Sequence, residues 1–86
     1  MKEITSTPSM LKAKIELLEF DTKRLTSRKK AKRQERTRIF DQLSNQWMAT
    51  YMCLNDLVDV IPDYDKYIRK LSALEQMMAD YAILGR

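Results

Sequence analysis

The sequence contains no histidine and has only one glycine, one cysteine and two prolines. Without histidine it lacks the side chain most often used for general acid-base catalysis, and also a common zinc ligand. The single cysteine, Cys53, excludes a disulfide within the chain. The sequence also has no glycine-rich phosphate loop and no nucleophile at motif spacing from a base. We therefore expect a protein that is not an enzyme and uses no cofactor.

The residues that usually mark turns are confined to Pro8, Pro62 and Gly85. Sheet folds need turn signals about every 8 to 12 residues. Between the two prolines the chain offers neither proline nor glycine, so long helices are the remaining interpretation. We predict an all-α fold.

The N-terminal part of the chain is expected to form one long helix. Residues 1–7 are predicted to be a flexible N-terminus, and Thr7 and Pro8 suit the cap and first position of a helix. The helix is predicted to span 8–38, amphipathic at first and then highly basic. The apolar stripe of its first part has coiled-coil-like spacing and consists of Leu11, Ile15, Leu18 and Leu25.

Two further amphipathic segments, 39–61 and 63–84, predict an antiparallel helical hairpin over residues 39–86. Pro62 separates them, because a proline disfavours helical backbone at the residue before it. A hairpin alone leaves one flank of its core exposed. Either the helix over 8–25 or a second subunit must cover it, and we expect a homodimeric helical bundle or coiled coil. The predicted core and dimer side chains are Leu43, Trp47, Tyr51, Leu54, Val58, Leu71, Leu74, Met78 and Tyr81.

Positive charge is concentrated in residues 23–38, which hold nine basic side chains and one acid, Glu35. Their net charge is +8, whereas the whole chain carries +4. The charges surround the helix axis and leave no broad apolar face, which argues against a membrane-surface helix. Phosphates could neutralise such a helix from several sides. We predict low-specificity binding of double-stranded nucleic acid, DNA or RNA, through Arg24, Arg28, Lys29, Lys32, Arg33, Arg36 and Arg38.

Two alternatives to nucleic-acid binding stay open. The basic run is also typical of a solubilising stretch or a targeting signal. The stripe formed by Leu11, Ile15, Leu18 and Leu25 has no obvious partner in the chain, so it is also compatible with a helical adaptor or chaperone, of a viral or secretion-related kind, that binds another protein.

The N-terminus and the single cysteine indicate the cellular compartment. Residues 1–7 have no apolar stretch of the kind found in secretory signals, and a lone cysteine suits a reducing compartment. We expect an intracellular protein of the cytoplasm or nucleus, with no membrane span. Cys53 is expected to be a small buried apolar residue. The acids at 56, 59, 63 and 65 are expected to favour a helix N-terminus and a solvated turn over a metal site.

Residues 28–38, which read RKKAKRQERTR, resemble the basic region of basic helix-loop-helix factors. Residues 70–72 and the pair Ala79 and Tyr81 faintly resemble that family's second helix. The resemblance would imply DNA binding by a dimer. The first helix would run about two turns too long before Pro62, however, and an apolar stripe precedes the basic block, so no family is assigned.

Overall fold

The computed structural model describes residues 7–27, 30 and 32–84, and every regular element in them is an α-helix. The predicted all-α class is confirmed for this part of the chain. Helix α1 spans Pro8–Thr26, α2 spans Arg33–Asp56 and α3 spans Tyr64–Leu84. The predicted flexible N-terminus, 1–7, lies outside the described residues except for Thr7.

The start of α1 follows the sequence prediction. Thr7 has an extended backbone, and its hydroxyl oxygen accepts a hydrogen bond of 3.2 Å from the Met10 N–H. Pro8 occupies the first turn, where its missing N–H costs no hydrogen bond. Thr7 and Pro8 therefore fix where the helix begins.

The predicted continuous helix over 8–38 is wrong, because α1 ends at Thr26 and α2 begins at Arg33 instead of residue 39. At the end of α1 the Ser27 hydroxyl donates to the Arg24 carbonyl at 2.7 Å. Like charges three and four residues apart destabilise a helix, and the basic run brings few apolar side chains to repay that cost. The interruption allows α1 to fold back onto α2 and α3.

The C-terminal end of α2 also differs from the prediction, since the helix stops at Asp56 rather than at residue 61. Leu57 to Val60 form turns, in which the Leu57 N–H donates to the Leu54 carbonyl at 3.0 Å. β-branched residues are weak helix formers, and Pro62 restricts the residue before it. Val58 falls in this turn and is 45% exposed, so its predicted place in the core is wrong.

Helix α1 packs against both other helices and supplies the wall of the core that a second subunit was expected to supply. Its apolar stripe is buried, which means that the predicted docking surface for a partner is not available in this fold. One core cluster consists of Leu11, Ile15, Leu18, Cys53, Leu54, Leu57, Leu71 and Leu74. The other consists of Leu25, Ile39, Leu43, Met78 and Tyr81. Burying each large apolar side chain is worth about 1.5 to 3 kcal/mol.

Contacts between α2 and α3 run in opposite order along the two helices. The Trp47 indole N–H donates to the Leu71 carbonyl at 2.7 Å, and the Tyr64 hydroxyl lies 3.4 Å from the Asn55 side-chain oxygen. Trp47 and Tyr51 stack with ring centroids 5.3 Å apart and are partly buried. The other predicted core residues, Leu43, Leu54, Leu71, Leu74, Met78 and Tyr81, are buried, as is Cys53.

Candidate nucleic-acid interface

Basic side chains are exposed around the corner where α1 ends and α2 begins. Of the seven residues predicted to contact nucleic acid, Arg24, Lys32, Arg33 and Arg38 are exposed there. Arg28 and Lys29 lie outside the described residues. Two basic residues that were not in the predicted set, Lys23 and Lys30, are also exposed at this corner. We call the six exposed residues the basic corner: Lys23, Arg24, Lys30, Lys32, Arg33 and Arg38.

The first turn of α2 adds its own positive potential to the basic corner. Lys32 is the N-cap residue, and its side chain makes no capping hydrogen bond. Helix N-termini carry partial positive charge on their free N–H groups and attract anions. Lys32 and Arg33 oppose this dipole, and Glu35 is the acid of the first turn. An external anion would therefore relieve repulsion at this end of the helix.

Arg36 does not belong to the basic corner, although its sequence position predicted that it contacts nucleic acid. It is only 8% exposed, and one guanidinium N–H donates to the Tyr81 carbonyl oxygen at 3.2 Å. The guanidinium carbon lies 4.7 Å from the centroid of the Tyr81 ring. Tyr81 is in the last turn of α3, where carbonyl groups lack helical partners. Arg36 therefore stabilises the end of α3 and joins it to α2.

Arg24 is held in place by a polar network between α1 and α2. Its guanidinium lies 3.3 Å from one carboxylate oxygen of Asp21, and the Gln46 amide donates to the other at 3.0 Å. Asp21 is 9% exposed, while the Arg24 side chain is 50% exposed. The Arg24 side chain therefore remains accessible to solvent, while its contact with Asp21 restricts the position of the guanidinium.

Leu17 and Phe20, two of the three exposed large apolar side chains on α1, were not among the predicted site residues. Leu17 is 55% exposed and Phe20 is 63% exposed. Both lie off the stripe that faces the core, and the Arg24 guanidinium carbon is 5.9 Å from the centroid of the Phe20 ring. An apolar residue outside the periodic stripe of an amphipathic helix was the available signal. Phe20 places an aromatic ring beside the basic corner.

A second surface feature is a shallow groove between α2 and α3, with a volume of about 310 Å³. Met48 on its edge is 53% exposed, and the neighbouring Met52 is 61% exposed. The groove is lined by Phe40, Ser44, Trp47, Met48, Glu75, Met78 and Ala79. It is mostly apolar and lies away from the buried stripe of α1.

The turn between α2 and α3 carries acids whose predicted role was capping and solvation. Asp59, Asp63 and Asp65 are exposed. In the part of the chain that the structure describes, no three cysteine, aspartate or glutamate side chains are grouped so that they could hold a metal ion. Nor do any of the described helices combine the length and apolar character needed to cross a membrane.

Comparison with known proteins found no matching family model, no similar curated protein and no similar solved structure. The functional interpretation therefore depends on the side chains and their placement. Two surfaces stand out in the described residues, the basic corner and the apolar groove between α2 and α3.

Proposed function

We propose that this protein binds nucleic acid through the basic corner, mainly by contacts with phosphates. The observation that supports this best is the placement of charge. The segment 23–38 has a net charge of +8, and all its described basic residues except Arg36 are exposed around the junction of α1 and α2. Phosphate contacts give affinity with little sequence specificity, because they carry no direct base readout.

Whether the protein binds single-stranded or double-stranded nucleic acid depends on the arrangement of its basic side chains. The expectation of a duplex came from a continuous cationic helix that phosphates surround, as in a groove. That helix is interrupted between α1 and α2, so the charges project from a corner. A corner of this kind can follow one phosphate backbone, which a single strand and a duplex both offer.

The test compares two charge reversals that bring the formal net charge from +4 to zero at different places. The double variant Arg33→Glu/Arg38→Glu changes the basic corner. The matched control Lys66→Glu/Arg69→Glu changes exposed residues near the start of α3. Fluorescence anisotropy with a labelled oligonucleotide measures the affinity of both variants, and circular dichroism verifies that they fold.

We expect the Arg33→Glu/Arg38→Glu variant to lose affinity by about tenfold or more, since it replaces phosphate contacts with repulsion. The control should lose about threefold or less, because distant exposed charges are screened by salt. Equal losses in the two variants would mean that only the net charge matters, and the basic corner would not be the binding site. Absence of binding by the unchanged protein would also contradict the proposal.

A second candidate function is protein contact through the groove between α2 and α3. The exposure of Met48 and Met52 beside Phe40 favours it, because methionine-rich apolar surfaces suit protein partners. We propose this groove as the contact of the predicted homodimer, because α1 already covers the other side of the core formed by α2 and α3. A two-fold pairing there would bring the same groove of both subunits together.

Light scattering at micromolar concentration tests the homodimer. The dimer hypothesis expects close to twice the chain mass of 10.2 kDa, and the Met48→Glu/Met52→Glu variant should return to the chain mass. A folded, unchanged protein at 10.2 kDa would contradict the homodimer. Binding of nucleic acid by that monomer would show that the first candidate function needs no second subunit.

A further inference from the structure

Phe20 is a large aromatic side chain that the fold leaves in water. It is 63% exposed and belongs to neither of the two core clusters of the described residues. Fully burying a phenylalanine side chain stabilises a protein, and this position gives up much of that gain. Single exposed apolar residues are common, so the exposure alone assigns no role to Phe20. Its neighbours provide the further evidence.

The ring of Phe20 is accompanied by a positioned cation. The Arg24 guanidinium lies 5.9 Å from the ring centroid and is held by Asp21, which is itself held by Gln46. A guanidinium has five N–H donors, and Asp21 accepts one of them in the described residues, so donors remain for another acceptor. The guanidinium thus lies over one face of the ring, and both groups are on the outer side of α1.

The other residues of the basic corner adjoin this pair, of which Arg24 is itself a member of the corner. Lys23 is exposed, and its ion pair with Glu19 is 3.7 Å long, which at such exposure contributes little. Lys30, Lys32 and Arg33 follow after α1 ends. An apolar protein segment would gain nothing from so many cations. A nucleic acid would gain from both the ring and the cations, because its bases can stack on the ring and its phosphates can contact the basic side chains.

We propose that Phe20 and Arg24 form a site for an unpaired nucleotide, in which the base stacks on the phenylalanine ring and Arg24 contacts a phosphate. This inference rests on the proposed nucleic-acid binding and names its substrate class, single-stranded nucleic acid. A base in an intact duplex is already stacked and cannot reach the ring. Base-aromatic stacking tolerates any sequence, because every base has a flat face.

The experiment compares a labelled oligo-dT of about 12 nucleotides with a duplex of the same length. Phe20→Leu keeps an apolar side chain of similar size and removes the aromatic ring. Leu17→Ala is the matched control, since Leu17 is an exposed apolar neighbour without a ring. We expect Phe20→Leu to weaken oligo-dT binding about tenfold and duplex binding by about twofold or less. Leu17→Ala should leave both affinities within about twofold of the unchanged protein's.

A variant that keeps a flat face gives an independent readout. Phe20→Trp should retain oligo-dT affinity, and its added indole fluorescence should be quenched on binding beyond any change that Trp47 shows in the unchanged protein. If oligo-dT binds but Phe20→Leu has no effect, the stacking site is wrong and nucleic-acid binding stands. Equal weakening by Phe20→Leu and Leu17→Ala on both ligands would indicate a general apolar contact and contradict stacking. If the unchanged protein binds neither ligand, the proposed function itself fails.

Discussion

The inner and outer faces of α1 and α2 contain similar residue types and have different environments. Leu17 and Leu18 are adjacent in sequence, yet Leu18 is 1% exposed and Leu17 is 55% exposed. Arg36 is buried against α3, whereas Arg33 and Arg38 are exposed on the same helix. Residue type therefore does not decide which side chains of these two helices are buried. The angle around the helix axis does, because about 100° separates successive side chains.

Substitutions of Leu17 and Leu18 should show the largest difference in the free energy of unfolding between the two faces. Leu18→Gln places an amide in the core without a partner and removes apolar burial, so we expect a loss of about 3 to 5 kcal/mol in the free energy of unfolding. Leu17→Gln should change it by about 0.5 kcal/mol or less. Urea unfolding followed by circular dichroism measures both. Equal losses would mean that α1 does not pack on α2 and α3 as described.

Substitutions of Arg36 and Arg33 in α2 should show a smaller difference in the free energy of unfolding. Arg36→Ala removes a buried hydrogen bond to the Tyr81 carbonyl and a cation-π contact. We expect the free energy of unfolding to fall by about 2 kcal/mol. Arg33→Ala should leave stability nearly unchanged and weaken oligonucleotide binding instead. Thermal unfolding and anisotropy, applied to both variants, separate the two roles. A stable Arg36→Ala variant would contradict the structural role of Arg36.

The smallest predicted effect concerns the contact between α2 and α3. Trp47→Phe keeps an aromatic ring for stacking on Tyr51 and removes the N–H that donates to the Leu71 carbonyl. A typical net hydrogen bond contributes about 1 kcal/mol, and we expect a loss of this size in unfolding free energy. Oligonucleotide affinity should not change, since Trp47 lies away from the basic corner. A loss of affinity would place the binding surface elsewhere.

The helical class and much of the core were predictable from periodicity. The scarcity of proline and glycine indicated helices, and apolar spacing identified Leu43, Leu54, Leu71 and Leu74 as buried. Periodicity reports which face of a helix is apolar, but it does not report which other helix covers that face. For that reason the sequence left open whether the stripe of α1 packs within the chain or on a partner molecule, and in the structure it packs within the chain.

The helix ends and the roles of single basic residues were harder to predict. No proline or glycine marks the break after Thr26. We attribute the break to repulsion between the basic side chains and to the packing gained when α1 folds back onto α2 and α3. Arg36 resembles its neighbours in sequence, and its hydrogen bond to the Tyr81 carbonyl depends on where the end of α3 lies. Phe20 was missed because the prediction followed the residues on the apolar stripe, and Phe20 lies off it.

The salt dependence of oligonucleotide binding by the unchanged protein tests the central claim most directly. A basic corner that neutralises several phosphates releases counterions, so the logarithm of the binding constant should fall linearly with the logarithm of salt concentration. With six exposed basic residues described there, we predict a slope of about −3 to −5. An affinity that barely changes between about 50 and 200 mM salt, or no binding at either concentration, would contradict the account.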